Sequence, residues 1–262
     1  MKKNIGILGS NRFVGKILKQ YYPDAIGYDI RGECDKLEDV LNRDIIFIAI
    51  NLLDNCLSET SLQLLYNYCE KMKDGTVVVV KSTFVPGVTD KIQAKFLNLK
   101  VVYIPEFLTE ATALEDFIHP IFQIIGVTHQ SINIANELFS ILPEAPVKRV
   151  ISVLDAEVLK HVKNSYYALK VSYFNQLYDA CQQLNADYET VRDILVNDPW
   201  IGNSHSIHMH NGYVGWGGKC LSKDIPALAN VVDFPLLDSI IKYNEKLRKK
   251  QGLQPLSKIK KD

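Results

Sequence analysis

Short apolar runs recur through the first half of the chain, at Asn4 to Leu8, Ala25 to Tyr28, Asp44 to Ile50, Thr76 to Val80, Val101 to Ile104 and Gln123 to Gly126. Helix-like stretches separate most of them, at Lys16 to Tyr22, Ser58 to Met72, Val88 to Phe96 and Gln130 to Leu142. Parallel strands need a crossover between them, and a helix is the usual one. The alternation therefore predicts an α/β fold, a Rossmann-like, doubly wound parallel sheet covered on both faces. Such sheets bind ligands beyond the C-terminal ends of their strands.

The opening reads as a βαβ unit, with Gly9-Ser-Asn-Arg-Phe-Val-Gly15 between the first strand and the first helix. A turn rich in free amides at a helix N-terminus receives a pyrophosphate, and an acid about 20 residues beyond the first glycine bonds a ribose hydroxyl. Asp29 stands at that distance and favours NAD over NADP, whose 2′-phosphate it repels. The glycine signature is irregular, since Asn11 or Arg12 occupies the place of the middle glycine. A doubly wound domain that binds no dinucleotide is the alternative.

Polar residues gather at later strand ends. Lys81-Ser82-Thr83 follows one strand, and Pro105-Glu-Phe-Leu-Thr-Glu110 follows the next. Glu106 and Glu110 are either a surface acid pair or, because of their place, functional groups.

From Ser152, with Asp155 three positions on in the manner of a capping box, no proline or glycine interrupts a helical pattern to about Leu184. Such a helix is ~45 Å long at 1.5 Å per residue. Lys160 and Asn164 lie one turn apart on one face, which Ala168 and Val171 continue as apolar packing. The alternative is a solvated face carrying Lys160, Lys163 and Lys170. The chain then divides into an α/β domain over 1–150, an all-α domain over 151–250 and a basic tail over 251–262 carrying Lys258, Lys260 and Lys261.

A further short helix is expected at Asp187 to Val196, a long loop at Asn197 to Lys219, and helices at Asp224 to Val232 and Leu236 to Lys250. The loop holds His205, His208 and His210, but no carboxylate or cysteine is placed to complete a metal shell, and no metal site is expected. Just beyond lies Asn211-Gly-Tyr-Val-Gly-Trp-Gly-Gly-Lys-Cys-Leu-Ser-Lys-Asp224, with four glycines ahead of Cys220. Glycines let backbone approach a ligand closely, and Lys223 and Asp224 supply a cation that favours a thiolate and a carboxylate that could hold a proton or a water. This is either a nucleophile site or a glycine-rich turn with a chance cysteine.

Lysine plus arginine equal aspartate plus glutamate at 30 each, so no bulk field attracts nucleic acid or an anionic membrane. Five scattered cysteines without a CxxC pair argue against a disulfide framework. No secretory leader and no membrane-length apolar run is evident, and a cytoplasmic protein is expected.

Five ordered blocks resemble the UDP-glucose/GDP-mannose dehydrogenase family: Val80 to Gly87; Pro105 to Glu110 with Ala113, Asp116 and Pro120; Ala156 to Asn164; Asp198-Pro-Trp-Ile-Gly-Asn203; and Gly217 to Asp224. The resemblance implies NAD-dependent oxidation of a nucleotide-sugar C6 alcohol to a uronic acid, with Cys220 holding a thiohemiacetal and then a thioester. It implies that Lys160 and Asn164 steady the oxyanion, Asp224 and Thr83 order water, and Glu106 is the base in hydrolysis. It places Gly9, Val14, Gly15, Asp29, Ser82 and Glu110 at the cofactor, with Phe107, Leu108, Gly217 and Gly218 at the substrate. A homodimer through the long helix and the 197–219 loop is implied as well.

Departures from that family are visible. Asn51-Leu52-Leu53 replaces a Val-Pro-Thr-Pro segment, Trp200 an arginine that reaches substrate across a dimer interface, Phe122 another arginine and Ile104 an asparagine. The third, nucleotide-binding domain of the family lies beyond the length of this sequence, so a separate chain supplying it is a possible partner. Two other readings stand beside the leading one: a single-hydride β-hydroxyacid-type dehydrogenase, which shares the Lys-x-x-x-Asn pair, and a non-catalytic Rossmann-like interaction protein.

Overall fold

The computed structural model describes residues 4–50 and 59–256, which form two compact units, Met1–Lys160 and His161–Asp262. Asn51-Leu52-Leu53, Cys56 and the lysines of the basic tail lie outside the described residues.

The first unit is built on a seven-stranded sheet. Its strands are β1 (Ile5–Leu8), β2 (Ile26–Tyr28), β3 (Ile45–Ile48), β4 (Val77–Val80), β5 (Lys100–Tyr103), β6 (Phe122–Val127) and β7 (Val147–Ser152), in the order β2-β1-β3-β4-β5-β6-β7. Its helices are α1 (Phe13–Tyr21), α2 (Leu37–Leu41), α3 (Glu59–Cys69), α4 (Val88–Lys95), α5 (Ala113–Ile118) and α6 (Ala135–Ile141). Every residue of β3 and β4 is buried, as strands covered on both faces require. One face packs Leu8, Ile46, Ile48, Val78 and Val80 against residues such as Leu65 and Ile92; the other packs Ile7, Phe47, Val79 and Val102 against Leu18, Phe117 and Leu138.

Two features depart from the expected all-parallel sheet. β6 runs antiparallel to β5. A helix of six residues, α5, advances only ~9 Å, too little to carry the chain back along the sheet before the next strand pairs. β7, parallel to β6, is an additional strand whose residues are all exposed or half-buried, so it lacks the apolar run that marked the others.

Helix α7 (Val153–Leu184) begins in the first unit and continues into the second. At its start Ser152 Oγ accepts from Asp155 N at 3.0 Å and donates to Asp155 Oδ2 at 2.7 Å, the expected cap. The second unit adds α8 (Tyr188–Leu195), α9 (Gly218–Ala229) and α10 (Pro235–Lys250) around Ala168, Trp216, Ile225, Leu237 and Ile241. It is not purely helical. β8 (Met209–His210) and β9 (Tyr213–Val214) form a hairpin joined by Asn211-Gly212, both at positive φ. An Asn-Gly pair is the strongest short-range hairpin signal, although the segment reads as loop when weighed for its histidines alone.

Helix α9 also starts earlier than its apolar pattern implies. It takes in Gly218 to Lys223, so Cys220 belongs to its first turn and not to a loop.

Candidate functional site

Three groups of side chains occupy the positions singled out by the sequence. The first surrounds the turn after β1. A Cβ on Gly9, whose φ is 85°, would lie 2.5 Å from Ala49 O, and one on Gly15 would lie 2.0 Å from Gly9 O. The two glycines therefore let the turn settle on the end of β3 and let α1 settle on the turn. Between them lie five residues, one more than in GxGxxG. The extra length folds toward the end of β2: the Asn11 side-chain amide donates to Arg31 O, and Arg12 Nε lies 3.2 Å from Asp29 Oδ2. Asp29 Oδ1 accepts from Arg31 N at 3.0 Å, and only 2% of the Asp29 side chain is exposed. Val14 packs into the sheet's core, and the Ser82 hydroxyl is bonded to Ile48 O and Ile50 O at 3.2 and 2.8 Å.

The second group sits at the ends of β4 and β5. Glu106 is no surface acid: it is half-buried, and its carboxylate is ion-paired with Lys81, whose side chain is 2% exposed. The backbone oxygen of Glu106 accepts from the Lys160 ammonium, which also lies 5.5 Å from the centre of the Phe107 ring. Phe107 meets Phe122 edge-on at 4.9 Å, so the phenylalanine in place of a family arginine is an aromatic neighbour of the candidate substrate residues. Leu108 and Thr83 are half-buried, and Glu110 is exposed.

Behind this loop, Glu157 of α7 is fully buried and accepts from Gly87 N at 2.6 Å, Thr89 N at 3.0 Å and Thr89 Oγ1 at 2.6 Å. It thereby caps the start of α4, whose first N–H groups have no helical partner. Burial raises its carboxyl pKa, opposed by the bonds from Thr89 and Gly87.

The third group belongs to the second unit. Asn164 Nδ2 donates to Asp224 Oδ2 at 2.6 Å, Lys223 pairs with the other oxygen of the same carboxylate, and His161 Nδ1 lies 3.1 Å from Asp224 O. Asp224 is fully buried. Cys220 is exposed one helical turn earlier on α9, so thiol and carboxylate share a face of that helix. The other described cysteines differ in setting: Cys69 and Cys181 are buried, with burial pushing the Cys69 thiol up to about 12, and the exposed Cys34 donates to Asp29 O.

The glycine stretch before Cys220 is anchored by a residue that sequence reasoning passed over. Asn244 of α10, fully buried, accepts from Trp216 N at 2.8 Å and donates to Trp216 O at 2.9 Å. A Cβ on Gly215, whose φ is 94°, would come within 2.5 Å of the Asn244 Oδ1. The signal was there: Asn244 interrupts an apolar helical stripe of Leu237, Ile240, Ile241 and Leu247. Lys81 carried a similar one, a lysine directly after four buried valines.

Lys160 and Asn164 are 7% and 6% exposed, which overturns the solvated-face alternative for this part of α7. Lys170 instead donates to Ile201 O and Gly202 O, and Lys163 lies over the Tyr167 ring. The loop histidines engage aromatic rings: His205 stacks on Tyr167 at 4.1 Å and His208 on Tyr178 at 3.6 Å.

Residues 9–142 match the NAD binding domain of the UDP-glucose/GDP-mannose dehydrogenase family, and residues 154–246 match its central domain. The chain is 33% identical over 223 residues to a UDP-glucose 6-dehydrogenase of Rickettsia typhi, covering 79% of this chain and 50% of that protein. It is 31% identical over 218 residues to one of Bacillus subtilis, covering 77% and 48%. It thus spans about half the length of the curated relatives it matches. A UDP-glucose dehydrogenase structure from Pyrobaculum islandicum shares the fold with a TM-score of 0.77 at 22% identity, over 96% of this chain and 72% of that one. With an NAD-binding domain and a central domain matched in order, the chain belongs to the UDP-glucose/GDP-mannose dehydrogenase family.

Proposed function

We propose that this protein oxidises the C6 alcohol of a nucleotide sugar, UDP-glucose foremost, to the uronic acid through Cys220. One observation carries the reading: an exposed thiol in the first turn of a helix, one turn ahead of a buried carboxylate that Asn164 and Lys223 hold from both sides. A buried carboxylate is costly even when Asn164 and Lys223 satisfy it, so its presence one turn from an exposed thiol supports a role beyond packing.

NAD supplies the hydride acceptor for both oxidations. Gly9, Val14, Gly15, Asp29, Ser82 and Glu110 are assigned to its binding, and the close Gly9–Gly15 approach supports a turn that presents backbone amides at the start of α1. In the first oxidation the alcohol loses a hydride and a proton and becomes an aldehyde. Cys220 Sγ adds to the aldehyde carbon, and the carbonyl oxygen takes a proton. Lys160 and Asn164 steady negative charge on that oxygen at each stage. Loss of a second hydride and a proton leaves a thioester. Glu106, with Lys81 beside it, takes a proton from a water ordered by Asp224 and Thr83; the water attacks the thioester carbon, the C–S bond breaks, and Cys220 leaves as thiolate. The sum is one alcohol, two NAD and one water giving one carboxylate, two NADH and three protons.

Phe107, Leu108, Gly217 and Gly218 are assigned to the sugar. We assign a homodimer formed through the long helix and the 197–219 loop, where Leu184 and Trp200 are 78% and 93% exposed. A monomeric mass by light scattering at micromolar protein would contradict it.

The test is NADH counted per substrate consumed across UDP- and GDP-sugars, with and without Cys220→Ser. Two NADH per sugar in the native protein and loss of acid formation in the variant are expected. Equal turnover by the variant, or one NADH per sugar, sinks the thiol mechanism and favours the single-hydride alternative.

A further inference from the structure

Of the two residues that spoil the glycine signature, Arg12 reaches Asp29, the acid assigned to the ribose, and Asn11 reaches the segment just beyond it. Asn11 and Arg12 stand where the turn is one residue longer, and both contact the segment just beyond β2, Asn11 through Arg31 O and Arg12 through Asp29. Asp29 is the group that discriminates against NADP, because a carboxylate hydrogen-bonds the 2′-hydroxyl and repels a 2′-phosphate. Here that carboxylate is covered. Its side chain is 2% exposed, that of Arg12 is 11% exposed, and Asp29 Oδ2 makes no hydrogen bond among the described residues although Arg12 Nε lies 3.2 Å away. Arg31, two residues beyond Asp29, is exposed, and its backbone is held from both sides, its N–H by Asp29 and its carbonyl by Asn11.

A carboxylate paired with a guanidinium presents little net charge to an approaching phosphate, and Arg31 on the adjoining loop brings a second guanidinium, offset by the exposed Glu33 and by Asp35, whose carboxylate accepts from Gly27 N at 2.7 Å. We infer that Arg12 and Arg31 form a 2′-phosphate site over Asp29, so that this domain accepts NADP as well as NAD. The irregular turn is then a specificity device and not a decayed motif. The inference rests on the dinucleotide-binding role of the first unit and is independent of Cys220.

Isothermal titration calorimetry of the full chain with NAD and with NADP tests it. The two dissociation constants should agree within about tenfold, and raising salt should weaken NADP more than NAD, because the additional phosphate contact is electrostatic. Arg12→Gln frees the Asp29 charge and should shift the NADP-to-NAD ratio against NADP by about tenfold or more, while Arg12→Lys should keep most of the native ratio. Binding of NAD without NADP at a hundredfold excess, or an unchanged ratio in Arg12→Gln with NAD still bound, overturns the proposal alone. Binding of neither overturns it together with the dinucleotide role on which it depends.

Discussion

Asn244 offers a direct measure of what holds the glycine stretch in place. Its side chain makes two hydrogen bonds to the backbone of Trp216, and both partners are buried. Asn244→Leu keeps the shape of the side chain and removes both bonds. An N–H and a C=O are then left in the interior, each at about 1–3 kcal/mol, so the variant should lose about 2–6 kcal/mol of stability. The same molecule contains a control. Gln251 makes the matching pair of bonds to Val214, accepting from its N–H at 2.7 Å and donating to its C=O at 2.9 Å, but at an exposed position. Water replaces those bonds when they are lost, so Gln251→Ala should cost less than about 1 kcal/mol. Urea unfolding followed by fluorescence reads the difference. With Trp200 changed to Phe, Trp216 is the single indole, and it sits beside the lost bonds. Equal losses in the two variants, or a loss below about 0.5 kcal/mol for Asn244→Leu, would refute the reasoning that burial makes this anchor strong.

Other consequences can be checked separately. Gly15→Ala drives a methyl into Gly9 O, so the turn must shift; NAD affinity measured by calorimetry should fall at least tenfold, and a native value would show that the turn does not touch the dinucleotide. Lys81→Met strips Glu106 of its cation in a nearly dry position, where breaking such a pair costs about 3–5 kcal/mol; a melting temperature within a degree of native would deny that the pair is buried. His208 has its pKa lowered by burial, with Asp179 and Glu189 opposing. The unfolded chain therefore binds its proton first, so stability should fall as pH drops below about 6.5, and His208→Phe should remove that part of the slope in denaturant midpoints measured from pH 8 to 5. Glu157 behaves in the opposite sense: its folded pKa is raised, so its contribution is largest at acid pH and declines as pH rises through that raised value, a decline that Glu157→Gln should abolish.

The sheet was legible because its central strands are unbroken apolar runs, and Ile45–Ile48 or Val77–Val80 permit little else. Strand direction was not. Apolar pattern carries no sign, and the turn from β5 into β6 is decided by the length of α5. β7 escaped notice because its residues stand exposed or half-buried, so charged side chains such as Lys148 and Arg149 are tolerated. The hairpin at 209–214 was announced by Asn211-Gly212 and hidden by interest in the neighbouring histidines. At the candidate site, the residues expected to bear chemistry could be named from motif blocks, but their holders could not. Lys81 acts through Glu106, Glu157 through α4 and Asn244 through Trp216, and each pairing joins positions distant in sequence.

That asymmetry has a physical basis. A side chain that meets a ligand is constrained by the ligand's chemistry, which recurs from protein to protein, whereas the group that orients it is constrained only by local packing and by the need to leave no buried polar atom unmatched. The turn between β1 and α1 shows the point from the other side. Judged by glycine count it is a defective dinucleotide loop, yet its two glycines sit where a Cβ would strike backbone, and the side chains of Asn11 and Arg12 both reach the segment just beyond β2. Packing accounts for the glycines, since a Cβ at either strikes backbone, but not for an arginine paired with the acid at the strand end. That pairing bears on what the loop can hold, because in such folds the acid at the end of the second strand is the group that meets the ribose.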